Sequence, residues 1–308
     1  MTLPEHPDAL HGIWPALLTP LTAALDIDLP RFAAHARALI DAGCAGVTPF
    51  GTTGEGPAFS VAERIAAVDA LVAGGVPASK IVVSAICTAL PDTIALAKHA
   101  VAIGARACLI LPPFYMKGVP DAGIVDAYAQ VIDRVDDARL RVILYHIPQV
   151  AGVGVSIDVI DTLRRRYPQQ IVGLKDSGCA IEASRAYAKA FMPPLQVWVG
   201  NELDLPALGR LGSRGAISGL ANFMPRLVER LVNAPDAPGT PGDLARTQAL
   251  LATLGGYALI PALKGVMALR SGDAGWLRVR PPLRALDDAG LATLRTQWAA
   301  ATIDPVND

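Results

Sequence analysis

Lys175 closes an apolar run, Ile171-Val172-Gly173-Leu174, and is followed at once by Asp176-Ser177-Gly178. The chain has only six lysines against 21 arginines, so lysine is not its usual carrier of surface charge. A lysine desolvated at the end of a buried-type strand is driven toward the neutral amine, and a neutral amine attacks carbonyl carbon to form a Schiff base. A lysine in such a place can also snorkel to water. This segment alone leaves both readings open.

Four other segments bear on the choice. Gly51-Thr52-Thr53-Gly54-Glu55-Gly56 sets two hydroxyls beside glycine-exposed amides, an array of neutral donors suited to a carboxylate. Pro112-Pro113-Phe114-Tyr115, Tyr145-His146-Ile147-Pro148 and Gly200-Asn201-Glu202 each follow or end an apolar run. Forming a carbinolamine and dehydrating it both move a proton, and Tyr145 is the natural hydroxyl to carry it. His146 is one residue on, so strand alternation turns it to the opposite face and favours a structural role. Cys179, just beyond Lys175, is expected to be inert core.

These segments need a scaffold that brings them to one place. The strand candidates are 12–18, 46–50, 81–85, 107–111, 141–147, 170–174, 197–200 and 215–218, apolar on both faces as buried parallel strands are. Alanine-rich helical stretches lie between them, among them 28–42, 60–72 and 92–103. Ser60 and Pro91-Asp92 mark starts, and Gly43, Gly74-Gly75 and Gly104 mark stops. Arg164-Arg165-Arg166 reads as a helix end, where cations meet the negative pole of the dipole. The alternation predicts a closed (β/α)8 barrel over residues 1–222, with its chemistry at the C-terminal ends of the strands. A doubly wound sheet is the other arrangement for such a pattern, and its G-x-G-x-x-G turn is missing. Residues 223–308 read as a C-terminal helical extension packed on the barrel, with a Pro/Gly-rich loop at 233–242.

Composition narrows the function classes. The net charge is -1 and the basic residues are scattered, which argues against a nucleic-acid or membrane partner. Mean hydropathy is +0.38. The longest uncharged stretch, 247–263, is interrupted by Gly255-Gly256 and Pro261 and is shorter than the ~20 residues of a spanning helix, so it reads as a buried helix. Met1 to Gly12 carries Glu5 and Asp8 and no apolar core, so no secretory leader is expected. Cys44, Cys87, Cys108 and Cys179 are widely spaced beside apolar segments, which fits reduced, buried thiols and a cytoplasmic location. The histidines show no metal-ligand spacing.

The motifs at 51–55, 113–115, 145–152, 173–178, 200–202 and 215–218, with Val279-Arg280-Pro281-Pro282-Leu283 near the end, resemble the dihydrodipicolinate synthase and N-acetylneuraminate lyase family of pyruvate-dependent class I aldolases. The resemblance covers nearly the whole chain. It implies that Lys175 forms the Schiff base with pyruvate, that Tyr145 is the general acid/base, and that Thr52 and Thr53 hold the pyruvate carboxylate. It further implies a hydroxyl relay from Thr52 to Tyr145 and to Tyr115 of a neighbouring subunit. Gly51, Gly200, Ile217 and Glu202 would line the substrate site. Such enzymes use no cofactor and no metal, and assemble as homotetramers, often dimers of dimers.

Two departures bear on the substrate. Dihydrodipicolinate synthases carry an arginine five residues after the catalytic tyrosine, and here that position is Val150, which offers no charge for a second carboxylate. Sialic acid lyases carry an acidic pair after the seventh strand and a serine after the eighth, where this chain has Asn201, Glu202, Leu203 and Gly219. Arg210 and Arg214 precede the eighth strand and belong at the far end of the barrel. The expectation is therefore a lyase joining or splitting pyruvate and an aldehyde, foremost a 2-keto-3-deoxy sugar acid aldolase. A dehydratase of such acids and a dihydrodipicolinate synthase stand beside it. From a different class stands a barrel that binds a 2-oxo acid without turning it over. A phosphate-handling barrel would need a glycine-rich loop with a basic residue after the seventh or eighth strand, and neither place has one.

Overall fold

Short runs of Val, Ile, Leu and Ala, too short for helices and polar on neither face, become parallel strands covered on both sides. The structure, a computed structural model, describes residue 6 and residues 10–301, so the reading of Met1 to Gly12 falls mostly outside the described residues. The strands are β1 (Gly12–Leu17), β2 (Thr48–Pro49), β3 (Val82–Ala85), β4 (Ala107–Ile110), β5 (Val142–His146), β6 (Ile171–Asp176), β7 (Gln196–Val199) and β8 (Gly215–Ser218). They pair as β2-β1-β8 and as β3-β4-β5-β6-β7. Val47 bridges Ile81 in parallel and joins the two sets, its N–H donating to Lys80 O at 2.9 Å. At the other seam the Ser213 hydroxyl donates to Val197 O at 2.8 Å, and Arg214 N–H to the Gln196 side chain at 3.2 Å. The sheet is thereby closed into the expected (β/α)8 barrel.

Two apolar layers result. Trp14, Leu109, Ile143, Tyr145, Val172 and Trp198 fill the interior. Val142, Leu144, Ile171 and Leu174 face outward to the helices, so alternation holds along β5 and β6. Tyr145 is in register with Lys175, and Lys175 with Trp198, which turns the lysine inward with them. Gly173 makes this possible, because a Cβ there would lie 2.5 Å from the Trp198 ring.

The helices that alternate with the strands or follow the last one are α1 (Leu29–Asp41), α2 (Val61–Ala73), α3 (Leu90–Ile103), α4 (Asp121–Val135), the short α5 (Pro148–Ala151), α6 (Ile157–Arg166), α7 (Ile181–Phe191), α8 (Leu205–Arg210) and α9 (Pro225–Asn233). Asp28 caps α1, accepting from Arg31 N–H. Ser60 and Glu63 form a reciprocal capping box on α2. Gly104, at φ +77°, stops α3. The last turn of α6 is the arginine triplet. The chain continues as α10 (Thr240–Gly255), α11 (Leu259–Ser271) and α12 (Asp288–Ala301).

Several expectations are corrected. The sixth strand runs on through Lys175 to Asp176, since both residues find ladder partners on either side. Stretch 247–263 is not one helix but parts of α10 and α11, which meet at 115° where Gly255-Gly256 ends the first. The Pro/Gly-rich loop is shorter than expected, because Thr240 and Pro241 already open α10 and proline is at home in a first turn. Cys179 is exposed, unlike Cys44, Cys87 and Cys108. The chain leaves β6 into a surface bend with Cys179 in the left-handed region at φ +57°, so it is not core. Among the described residues no single helix is long and apolar enough to cross a membrane.

Candidate active site

The C-terminal ends of β2, β5, β6, β7 and β8 converge on one side-chain cluster. Lys175 is 5% exposed, and its Nζ lies 4.6 Å from the centre of the Tyr145 ring. The Tyr145 hydroxyl is 3.2 Å from Thr52 Oγ1. Tyr145 is itself 2% exposed, so both groups sit in a site largely closed to water.

The loop that supplies Thr52 is held under strain. Phe50 and Glu55 flank it, both non-glycine residues in the left-handed region at φ +60° and +58°. Strain of this kind persists only where the surroundings over-determine it. Glu55 is pinned beneath the loop by an ion pair with Lys264 of α11, both side chains fully buried, and Lys264 Nζ also donates to Arg278 O at 2.8 Å. Burial holds Lys264 below the usual lysine range, with Glu55 pulling the other way. Gly56 packs against the backbone of Phe50, where a Cβ would lie 1.9 Å from Phe50 O. Thr53 lies beside Gly219 after β8, whose Cβ position is 3.5 Å from Thr53 Oγ1.

Glu202 follows β7 and is buried. Its carboxyl accepts from Ser218 Oγ at 2.6 Å and from Leu220 N–H at 3.4 Å. Desolvation raises its proton affinity, and these hydrogen bonds with the charge of Lys175 oppose that rise. Ile217 faces the interior on β8. Gly200 packs on Ser177, at the turn after Lys175, and donates its N–H to Asp176 O at 2.7 Å. Gly51 is buried beside Ser84.

His146 points outward, as alternation predicts. Its Nδ1 accepts from Val155 N–H at 2.9 Å and its ring meets Tyr187 edge-on. Arg210 and Arg214 lie away from the cluster, Arg210 on Asp236 and Arg214 just before β8. The fold thus gathers Thr52, Thr53, Tyr145, Lys175, Ile217 and Glu202 at one end. It does not bring Tyr115 to them, since Tyr115 is 76% exposed in the isolated chain. Sequence reasoning passed over Lys264, Ser218 and the structural part played by Glu55. A lone lysine within Leu259-Ile260-Pro261-Ala262-Leu263 and Gly265-Val266-Met267 was the available signal.

A barrel with a buried lysine, a tyrosine hydroxyl on a threonine and a strained Gly-Thr-Thr-Gly loop at one rim is the setting of a class of lyases. The chain belongs to the dihydrodipicolinate synthetase family, whose sequence model matches residues 9–285. An uncharacterized DapA-like lyase of Chloroflexus aurantiacus is 35% identical over 292 residues, covering 93% of this chain and 95% of that protein. The crystal structure of dihydrodipicolinate synthase from Agrobacterium tumefaciens superposes with a TM-score of 0.89 at 30% identity, covering 95% of this chain and 99% of that one. YagE, a prophage protein of the same family from E. coli K12 solved in complex with pyruvate, gives a TM-score of 0.86 at 26% identity over 95% of this chain and 98% of its own.

Proposed function

We propose that this lyase binds pyruvate as a Schiff base on Lys175 and joins it to, or releases it from, an aldehyde. The observation that carries this reading is the alignment of Lys175, Tyr145 and Thr52: an inward amine over the tyrosine ring, and the tyrosine hydroxyl on a threonine hydroxyl. Lys175 Nζ attacks C2 of pyruvate, and Tyr145 returns the proton that lets the carbinolamine lose water as the iminium forms. Thr53 and the amides of the Gly51–Gly54 turn receive the carboxylate as neutral donors. Loss of a C3 proton gives the enamine, whose carbon attacks the aldehyde. The aldehyde oxygen takes up a proton from Tyr145, and water releases the 4-hydroxy-2-oxo acid from Lys175. Retro-aldol cleavage runs these steps backward. A 2-oxo acid bound without turnover would not require an amine within reach of a proton relay.

Within this chemistry, the sugar-acid expectation rests only on two missing sets of charged groups, and it leaves the body of the aldehyde open. Glu202, beside Lys175 and held by Ser218, is placed to accept from the hydroxyl that any aldehyde acquires at C4. The test is reductive trapping with pyruvate and borohydride. One reduced pyruvyl adduct, mapped to Lys175 and absent from Lys175→Ala, is expected. A protein that takes up no adduct from pyruvate or another small 2-oxo acid does not work this way.

A further inference from the structure

Beside the Thr52–Tyr145 pair opens a cavity of about 240 Å³ whose lining is almost wholly apolar. Ile86, Leu111, Phe114, Ile147, Val150 and Leu283 form its wall, with Thr52 at the end nearest the reacting groups. The charged residue among the lining groups is Glu55, and its carboxylate is neutralised by Lys264 from behind. Lys117 sits close by but outside the lining, with two of its three N–H groups on the carbonyls of Phe114 and Ala151. Val150 stands 63% exposed at the mouth, so the wall continues apolar out to solvent.

We infer that the aldehyde partner has an apolar body, aromatic or branched aliphatic, rather than a polyhydroxylated or carboxylated chain. The inference rests on the pyruvate chemistry proposed above and names the class of its second substrate. The volume fits: an apolar cavity of about 150 Å³ already takes benzene. The polarity fits too. A sugar chain would bring several hydroxyls into a wall that offers them no partner, at a cost of about tenfold in affinity for each one stripped of water. A second carboxylate would find no guanidinium or ammonium in the wall itself, only the already engaged Lys117 outside it. The polar end of the aldehyde is provided for, since the oxygen that accepts the proton lies toward Tyr145 and Thr52. Bond making is unchanged: the enamine carbon joins the aldehyde carbon, and the C3 proton lost earlier balances the one gained by the new hydroxyl. The product is a 4-hydroxy-2-oxo acid with an apolar substituent on C4.

The experiment pairs pyruvate with benzaldehyde, 3-methylbutanal, D-glyceraldehyde and succinic semialdehyde, and compares kcat/KM in wild type, Val150→Arg and Leu283→Asn. Borohydride trapping with pyruvate alone runs alongside on the wild type. The expected result is an adduct, with the better apolar aldehyde favoured over both polar ones by at least about tenfold. In Val150→Arg the ratio of benzaldehyde to succinic semialdehyde falls by about tenfold or more, and Leu283→Asn lowers the preference for apolar aldehydes in the same direction. Ratios are read because a partly folded variant leaves them unchanged. An adduct with glyceraldehyde or succinic semialdehyde preferred overturns the inference and leaves the Schiff-base reading intact, as do ratios that neither variant moves. Absence of the adduct removes the Schiff-base reading, and the inference with it.

Discussion

Glu202 keeps its proton to a higher pH than an exposed glutamate, because burial strips water from its carboxylate. Donors from Ser218 and Leu220 and the charge of Lys175 recover part of that loss. For an acid whose affinity for the proton rises on folding, the stabilisation is complete below the unfolded value and is lost as pH climbs through the folded one. Replacing Glu202 with Gln removes this titration while leaving an oxygen to accept from Ser218. The melting temperature of Glu202→Gln should therefore gain on wild type as pH rises from 4 to 8, reaching a difference of about a few degrees. Thermal melts across that range check it, and a constant difference would mean that Glu202 ionises freely in the folded chain. The same residue constrains the chemistry. A carboxyl that titrates beside Lys175 changes the field at the amine, so activity should show a pH limb in wild type that the Gln variant lacks.

Elements carry the site through contacts far apart in sequence, and Arg280 is where this is plainest. Its guanidinium donates to Leu25 O at 3.0 Å, to Ala58 O at 2.9 Å and to Glu63 at 2.5 Å, and stacks 4.3 Å from the centre of the Phe59 ring. It thereby ties the segment before α12 to the N-terminus of α2 and to the end of the Gly-Thr-Thr-Gly loop. Arg280→Ala should cost about 2–3 kcal/mol of stability, from several charge-assisted bonds and a stacked ring lost together. Urea unfolding checks the figure. Arg280 is also the main cause that holds the Glu63 carboxyl down to about 2 from its ordinary 4.5. A carboxyl lowered on folding stabilises above its unfolded value and loses that contribution as pH falls from about 4.5 toward 2, so the effect of Arg280→Ala should shrink in acid. Strand order and the cluster at the strand ends were legible in the sequence, because each apolar run ends in a residue type with few other uses. The full length of β6 was not, because Lys175 and Asp176 are polar and their place in the ladder is decided by partners on β5 and β7. The Lys264–Glu55 pair was hidden for a similar reason: it joins residues more than two hundred positions apart, and no local pattern announces it. The expected change of region after residue 222 falls just before α9, which packs against β8, β1 and α8. We propose that α9 is the eighth outer helix and that the extension begins with α10.

At the scale of the whole molecule, one member of the expected relay, the one expected to come from a neighbouring subunit, stands apart from the others in the single chain. Tyr115 is 76% exposed and its neighbour Met116 is 68% exposed, beside Val119 on the same loop. Adjacent large apolar side chains left in water on one segment are a surface for another copy to cover. We propose that the functional unit is at least a dimer in which Tyr115 of each chain completes the relay of the other, with two such dimers forming the tetramer that the family resemblance implies. A two-fold arrangement makes the exchange reciprocal, so a chain lacking the tyrosine and a chain lacking the lysine can restore one another. Tyr115→Phe should lose about tenfold or more in turnover while still forming the pyruvate adduct, and Lys175→Ala should lose both. Dissociated, mixed in equal amounts and reassembled, the two variants place an intact Lys175 beside an intact Tyr115 in about a quarter of all sites. The mixture should then turn over substrate well above the mean of its parents, and separate refolding of each variant should give no such gain. Activity equal to that mean would place Tyr115 outside the site of any neighbouring chain, and its exposure would then need a different partner to explain it.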